Sequence, residues 1–289
     1  MDPLELIKLK GLMELTRGRP EIAIGLLDGP VAVSHPELVH GNIRQVSGQV
    51  GAPQTQPSGP ACRHGTFVAG ILSAMRGSAA PAICPDCTLL VWPVLGESPD
   101  SAGMPMATPE ELAAGITACI EAGARVINLS LAVVQPSARE ERLLCEALDA
   151  AAKRGVIVVV AAGNQGAIGN SPITGHPWCI PVVAYDRGSR PTSDSNLGSS
   201  IGRRGLGAPG EGITSLGADG EPLMFGGTSA ATPFVTGAIA LLWSVFPALW
   251  PAHLRAAVVH AAGRRRTIVP PLLDAWAAYE AVAGSEEWR

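Results

Sequence analysis

The run Gly227-Thr228-Ser229-Ala230-Ala231-Thr232-Pro233 places a hydroxyl at the entrance of a long apolar segment, residues 234–245. The pattern predicts a buried helix with Ser229 in its first turn, where unpaired backbone N–H groups and the positive dipole end gather. A serine there can act as a nucleophile, because the same N–H groups stabilise the negative charge that develops. Gly226 and Gly227 allow a close approach of backbone and substrate. Pro233 has no N–H, so the Ser229 carbonyl is expected to lack its usual helical partner. Alone, the run reads equally well as a core helix capped by Thr228 or Ser229. Two more motifs change that balance. His64 heads a second apolar segment, residues 64–72, after a polar stretch, which is a poor place for a core side chain. Asp28 closes the apolar run 21–27 and opens an Asp28-Gly29-Pro30 turn. A carboxylate at the C-terminal end of a strand lies at the edge where α/β sheets place their active sites, although aspartate also commonly starts a turn.

The elements around these residues alternate. Residues 21–27, 88–95, 125–131, 156–162 and 180–184 are short apolar runs, read as strands. Between them, 109–122 reads as a helix capped by Thr108, with Pro109 in first position and Glu111 completing a capping box. Residues 137–154 form another helix, ended by Gly155. Residues 41–60 and 97–108 are polar and rich in Gly or Pro, and read as loops. Helical patterns recur at 251–262 and 272–282. This strand–helix alternation argues for an α/β fold with a mainly parallel sheet and helices on both faces. The expected division is an N-terminal helical extension (1–20), a core (21–247) and C-terminal helices (248–289).

The chain has 289 residues, 47% hydrophobic content and a net charge of −4, which offers nucleic acid no basic surface. No apolar stretch reaches the length needed to span a bilayer. Residues 1–19 alternate charges with Leu and Ile and read as a short amphipathic helix, with no h-region or cleavage site of a secretory signal. The expectation is a cytoplasmic protein, or a domain of a longer one. Its six cysteines are Cys62, Cys84, Cys87, Cys119, Cys145 and Cys179. Thiols are the default in that compartment. Cys84-Pro85-Asp86-Cys87 is a single C-x-x-C, short of the ligand set of a structural zinc site. A disulfide at this pair stays open.

In chain order the three motifs run Asp28, His64, Ser229, and this resembles the subtilase family of serine proteases. His64-Gly65-Thr66-Phe67-Val68-Ala69-Gly70 matches the family's histidine motif, and the Ser229 run resembles its serine motif. Ala161-Ala162-Gly163-Asn164 resembles the segment that supplies the oxyanion asparagine. Asn128-Leu129-Ser130-Leu131-Ala132 resembles the strand that binds substrate backbone. The resemblance spans residues 21–247 and implies a three-layer subtilisin-like fold with an Asp28–His64–Ser229 triad and Asn164 in the oxyanion hole. It implies no cofactor. Peptide would pair with Ser130, Leu131 and Ala132 and with the loop from Gly96. The side-chain pocket would lie beside Gln165, with Gly175 at its base and His176 and Trp178 narrowing it. No formal charge enters it from these residues.

Three departures from the family pattern are visible. Asp28 is followed by Gly-Pro, so a supporting hydroxyl is missing. Ala230 stands where Met is usual. Residues 75–83 carry no carboxylate where many secreted members wrap calcium, so no metal is expected there. These departures make the chain similar to subtilases that mature ribosomally made peptides, such as cyanobactin proteases. The interval from Asp28 to His64 is too short for the helical lid of the cyclising relatives, which favours hydrolysis of a precursor peptide. A broad-specificity intracellular protease and a silent peptide-binding relative are the rival readings. Nucleic acid and membrane are not expected partners.

Overall fold

The computed structural model describes residues 1–46, 59–95, 107–131, 138–261, 263 and 267–285. Seven strands form one sheet: β1 (Ala23–Asp28), β2 (Ile43–Gln45), β3 (Thr88–Pro93), β4 (Val126–Leu129), β5 (Ile157–Ala161), β6 (Ile180–Tyr185) and β7 (Leu206–Pro209). Their order is β2-β3-β1-β4-β5-β6-β7, and every pairing is parallel. A hairpin of β8 (Ile213–Leu216) and β9 (Pro222–Phe225) stands apart as an antiparallel pair.

The side-chain period of two explains why these runs are apolar throughout. In β1, Ile24 and Leu26 enter one core while Ala23 and Leu27 enter the other. In β5, Ile157 and Val159 go one way and Val158 and Val160 the other. The first core is closed by α3 (Pro60–Ser73) and α8 (Thr228–Val245), the second by α4 (Pro109–Glu121) and α5 (Ala138–Arg154). This is the three-layer α/β arrangement expected. The capping box at Thr108 is present: Glu111 N donates to Thr108 Oγ1 (3.2 Å) and Thr108 N donates back to Glu111 Oε2 (2.8 Å).

Four expectations are corrected. Residues 43–45, read as loop, form the short edge strand β2, whose three residues are too few to show periodicity. The stretch between β6 and the Ser229 run, in which no strand was expected, contains β7 and the hairpin. The N-terminal segment is two short helices, α1 (Pro3–Leu6) and α2 (Lys10–Leu15), because Lys8 takes a left-handed conformation (φ 51°) between them. The fourth concerns α8, which is long and apolar enough to cross a membrane by composition, although none was expected to be. It is 89% buried as the central helix of the protein, the one such helix among the described residues. The six cysteines are unbridged. The chain ends on α9 (Pro251–Ala261) and α10 (Ala275–Ala283), which pack together, with α9 against α8 and α10 against α2.

Arg76 ties the N-terminal segment down. Its guanidinium donates to the carbonyls of Met13 (2.6 Å), Thr16 (2.8 Å) and Ile83 (3.0 Å). Calcium does not fit this place: residues 75–83 have no carboxylate, and these carbonyl oxygens already serve an organic cation. Hydrogen bonds to a charged group contribute about 1.5–3 kcal/mol each when buried, and Arg76 is partly exposed. Arg76→Met is therefore expected to lower stability by about 2–4 kcal/mol. At this chain length that is roughly 5–12 °C in a thermal melt. Added calcium or a chelator should leave the wild-type melting curve in place.

Candidate active site

The site lies outside the carboxyl ends of the strands, where parallel α/β sheets open a crevice. Asp28 is the last residue of β1, and Ser130 follows β4 directly. Asn164 follows β5 after Ala162 and Gly163.

Asp28 is wholly buried, and its Oδ1 accepts from His64 Nδ1 (2.6 Å) and from Gly29 N–H (2.6 Å). Its Oδ2 is also buried, with no hydrogen-bond partner among the described residues. That orphan matches the departure seen in the sequence: Gly29 brings no hydroxyl and Pro30 no N–H. A side chain at Gly29 has no room, since a Cβ would come 1.9 Å from the Ala61 carbonyl; one at Gly65 would meet the Gly29 and Pro30 carbonyls at 2.4 Å. The helix carrying His64 is thus docked directly on the backbone that carries Asp28. That helix starts at Pro60 rather than at His64, with Gly59 as its N-cap. Proline suits the first helical position, so the polar stretch ends four residues before the histidine.

Burial alone would push His64 down. The charge of Asp28 and its hydrogen bond outweigh that, and His64 sits above its ordinary value of 6.5. Because Nδ1 donates to a carboxylate, the neutral ring presents an unprotonated Nε2.

Ser229 is the second residue of α8, whose N-cap is Gly227 (φ 90°) with no side-chain cap. Only glycine sits easily there, and a Cβ would also come 3.0 Å from the Asn164 amide. Thr228, thought of from sequence as a cap, has another job. Its N–H (2.8 Å) and its hydroxyl (3.0 Å) both donate to Asn164 Oδ1, while the hydroxyl accepts from Gly163 N–H (3.1 Å). Two donors on one amide atom fix it as oxygen, so the Asn164 Nδ2–H₂ group faces outward as a donor. A buried thread also ties β4 to α8: Asn128 Nδ2 donates to Ser130 Oγ (2.8 Å), and Thr236 Oγ1 donates to Asn128 Oδ1 (2.8 Å).

His64, Ser229, Asn164, Ser130, Leu131 and Gln165 line one cavity of about 220 Å³. Phe67, Leu95 and Phe225 complete its apolar wall, and the Phe225 ring stands 6.2 Å from the His64 ring. Sequence reading missed Thr228, Phe67 and Phe225. Gly175 is not among the lining residues. It ends the short helix α6 (Pro172–Gly175; the next, α7, is Ser199–Arg204), and its carbonyl accepts from Arg204 (2.7 Å). His176 turns to Asp149 (3.3 Å) and Trp178 donates to the Val156 carbonyl (2.7 Å), so neither narrows the cavity. Gly96 and Ala132 lie outside the described residues.

A buried aspartate on a histidine, with a helix-terminal serine in the histidine's cavity, is an arrangement suited to a serine hydrolase on a parallel α/β sheet. The sequence model of the subtilase family matches residues 19–279. The chain belongs to that family of serine endopeptidases. It is 31% identical to subtilisin DY of Bacillus licheniformis over 81% of each chain. It is 33% identical to subtilisin Savinase of Lederbergia lenta over 76% of each. It spans 58% of the length of several other curated relatives, among them subtilisin J of Geobacillus stearothermophilus. Among solved structures, a mutant of the PatA protease domain superposes with a TM-score of 0.81 at 29% identity, covering 92% of this chain and 97% of that one. The prenylagaramide maturation protease PagA gives 0.79 at 26% identity, covering 94% and 98%.

Proposed function

We propose that this chain hydrolyses a precursor peptide, cutting a leader from a ribosomally made core, with Ser229 as nucleophile, His64 as general base and Asp28 as its orienting partner. The observation that carries the chemistry is the 2.6 Å hydrogen bond from buried Asp28 to His64, which lines the cavity that also holds Ser229. Ser229 Oγ attacks the scissile carbonyl carbon and gives its proton to His64 Nε2. The carbonyl oxygen becomes an oxyanion, held by Asn164 Nδ2 and the Ser229 backbone N–H. His64 then passes the proton to the leaving amine, and water releases the acyl group by the same steps reversed. No cofactor enters this sequence.

The likeness to proteases of patellamide and prenylagaramide maturation supports the choice of substrate. The decisive experiment incubates the purified protein with a leader–core precursor and, separately, with casein, and reads cut positions by mass spectrometry. One cut in the precursor and an intact casein support the proposal. General digestion of casein replaces it with a broad-specificity protease.

Asn164→Ala is expected to lower kcat by about 10²–10³-fold, the loss measured for the equivalent asparagine in subtilisin, with KM little changed. Thr228→Val, which leaves the asparagine in place but loosens it, should lose about tenfold, as supporting partners of a functional group commonly do. Steady-state kinetics on a single quenched peptide compares the two.

A further inference from the structure

A second cavity, of about 480 Å³, adjoins the first. The two share Asn164 and Gly226, and the second also takes in Gly227, the N-cap of the helix that bears Ser229. Its far walls are backbone around Gly210 and Gly212 and the segment 191–194. The wall is fixed to the catalytic helix, because Gly227 N–H donates to the Gly210 carbonyl (2.7 Å). The second space continues from the first across Asn164 and Gly226 and does not touch Ser130 or Leu131, so it is open to the leaving-group side of a peptide whose acyl side lies against those two residues.

The charges then give it a character. Asp186, Asp194 and Glu211 line the cavity, and among the described residues no cationic side chain does. Asp186 is already committed: it pairs with Arg190 (3.1 Å) and accepts from the N–H groups of Gly188 and Arg190. Asp194 and Glu211 are exposed, and among the described residues neither carboxylate has an ion-pair partner. Arg187 reaches Gly212 from outside the lining, 3.6 Å from where a Cβ would stand. Among the described residues, no group of three acidic, His or Cys side chains is disposed to hold a metal ion. The fitting cation is an organic one.

We propose that this cavity is a leaving-group subsite in which Asp194 and Glu211 select a basic side chain, Lys or Arg, on the first or second residue after the scissile bond. The inference rests on the peptidase reading of Ser229 and names the class of core peptide it releases. A long basic side chain suits the space, because its stem can lie along the glycine backbone while its head reaches the carboxylates.

The test uses quenched peptides that differ only after the cut, carrying Arg or Glu there. Wild type should favour Arg over Glu by about tenfold in kcat/KM at low salt, less at high salt, as partly exposed charges are screened. In Asp194→Asn/Glu211→Gln the ratio should fall below about threefold, and Glu211→Lys should push it toward Glu. A wild-type ratio within twofold of unity overturns the proposal, as does an unchanged ratio in the double variant. The same peptides are also bound to Ser229→Ala and read by fluorescence anisotropy. If wild type cuts no peptide, the peptidase reading fails, while the Arg-to-Glu binding ratio still decides the subsite.

Discussion

Ser229→Ala is expected to lower kcat for peptide hydrolysis by on the order of 10⁶-fold, the loss that removal of the serine causes in subtilisin, a relative of this chain. The size follows from the reaction. Without Oγ there is no acyl intermediate and no group for His64 to deprotonate, so only binding and oxyanion stabilisation remain. Those remain nearly whole, since alanine keeps the backbone N–H and Asn164 stays locked by Thr228. KM, or the Kd for an uncleaved peptide, should therefore move by no more than a few fold. Stability should hold as well, because the Ser229 side chain has no hydrogen-bond partner among the described residues and alanine is the better helix former. Adding His64→Ala to this variant should cost little further, as the three groups act as a unit. A quenched-peptide assay gives the rates, and labelling by a fluorophosphonate gives the nucleophile directly. A variant that retained more than about 1% of wild-type activity, far above the residual expected for a lost nucleophile, would place the nucleophile elsewhere.

The parts of this molecule that were legible in sequence share a physical cause. Asp28, His64 and Ser229 stand out because each is a polar group at the border of an apolar run; at Asp28 and Ser229 that border is where β1 ends and α8 begins, whereas His64 lies one turn inside α3. β1 and β5 were legible because a strand buried on both faces must be apolar at every position, as Ile157, Val158, Val159 and Val160 are. The rest depends on contacts between distant residues. Thr228 holds Asn164 across 64 positions, and nothing local to either marks the pair. Arg76 looks like a surface residue in an Ala- and Gly-rich segment until the chain brings three carbonyls around it. Asp194 and Glu211 come from separate loops and meet only at the second cavity. β7 was hidden for another reason. Its sequence, Leu-Gly-Ala-Pro, has the composition of a turn, and only pairing along β6 makes it a strand.

Asp28→Asn is expected to lower kcat/KM by about 10³- to 10⁴-fold and to reverse the pH behaviour of His64. The geometry separates two causes that usually arrive together. Gly29 N–H and His64 Nδ1 both go to Oδ1, while Oδ2 has no partner among the described residues. An asparagine with its oxygen at the Oδ1 position keeps both bonds and leaves its NH₂ buried without an acceptor, which costs about 1–3 kcal/mol. The opposite orientation sets that NH₂ against two donors and costs more. The first orientation therefore wins, His64 keeps its tautomer, and what disappears is the negative charge. Charge and hydrogen bond are what lift His64 above 6.5 against the opposing effect of burial. With the charge removed, burial prevails and His64 falls below 6.5. Hydrolysis needs the neutral base, so the acid limb of kcat/KM should lie above pH 6.5 in wild type and below it in the variant. Stability follows the same sign. In wild type the pair favours the protonated folded state, a contribution fully present below about pH 6.5 and lost as pH rises through the raised folded value. In the variant a buried neutral imidazole loses stability as pH falls instead. The gap between the two melting temperatures should thus widen in acid, and rate–pH and melt–pH profiles on both proteins would show it. An acid limb that stayed in place after Asp28→Asn would mean that the Asp28 charge does not govern His64. The loss of rate would then have to come from a flipped amide and the wrong tautomer.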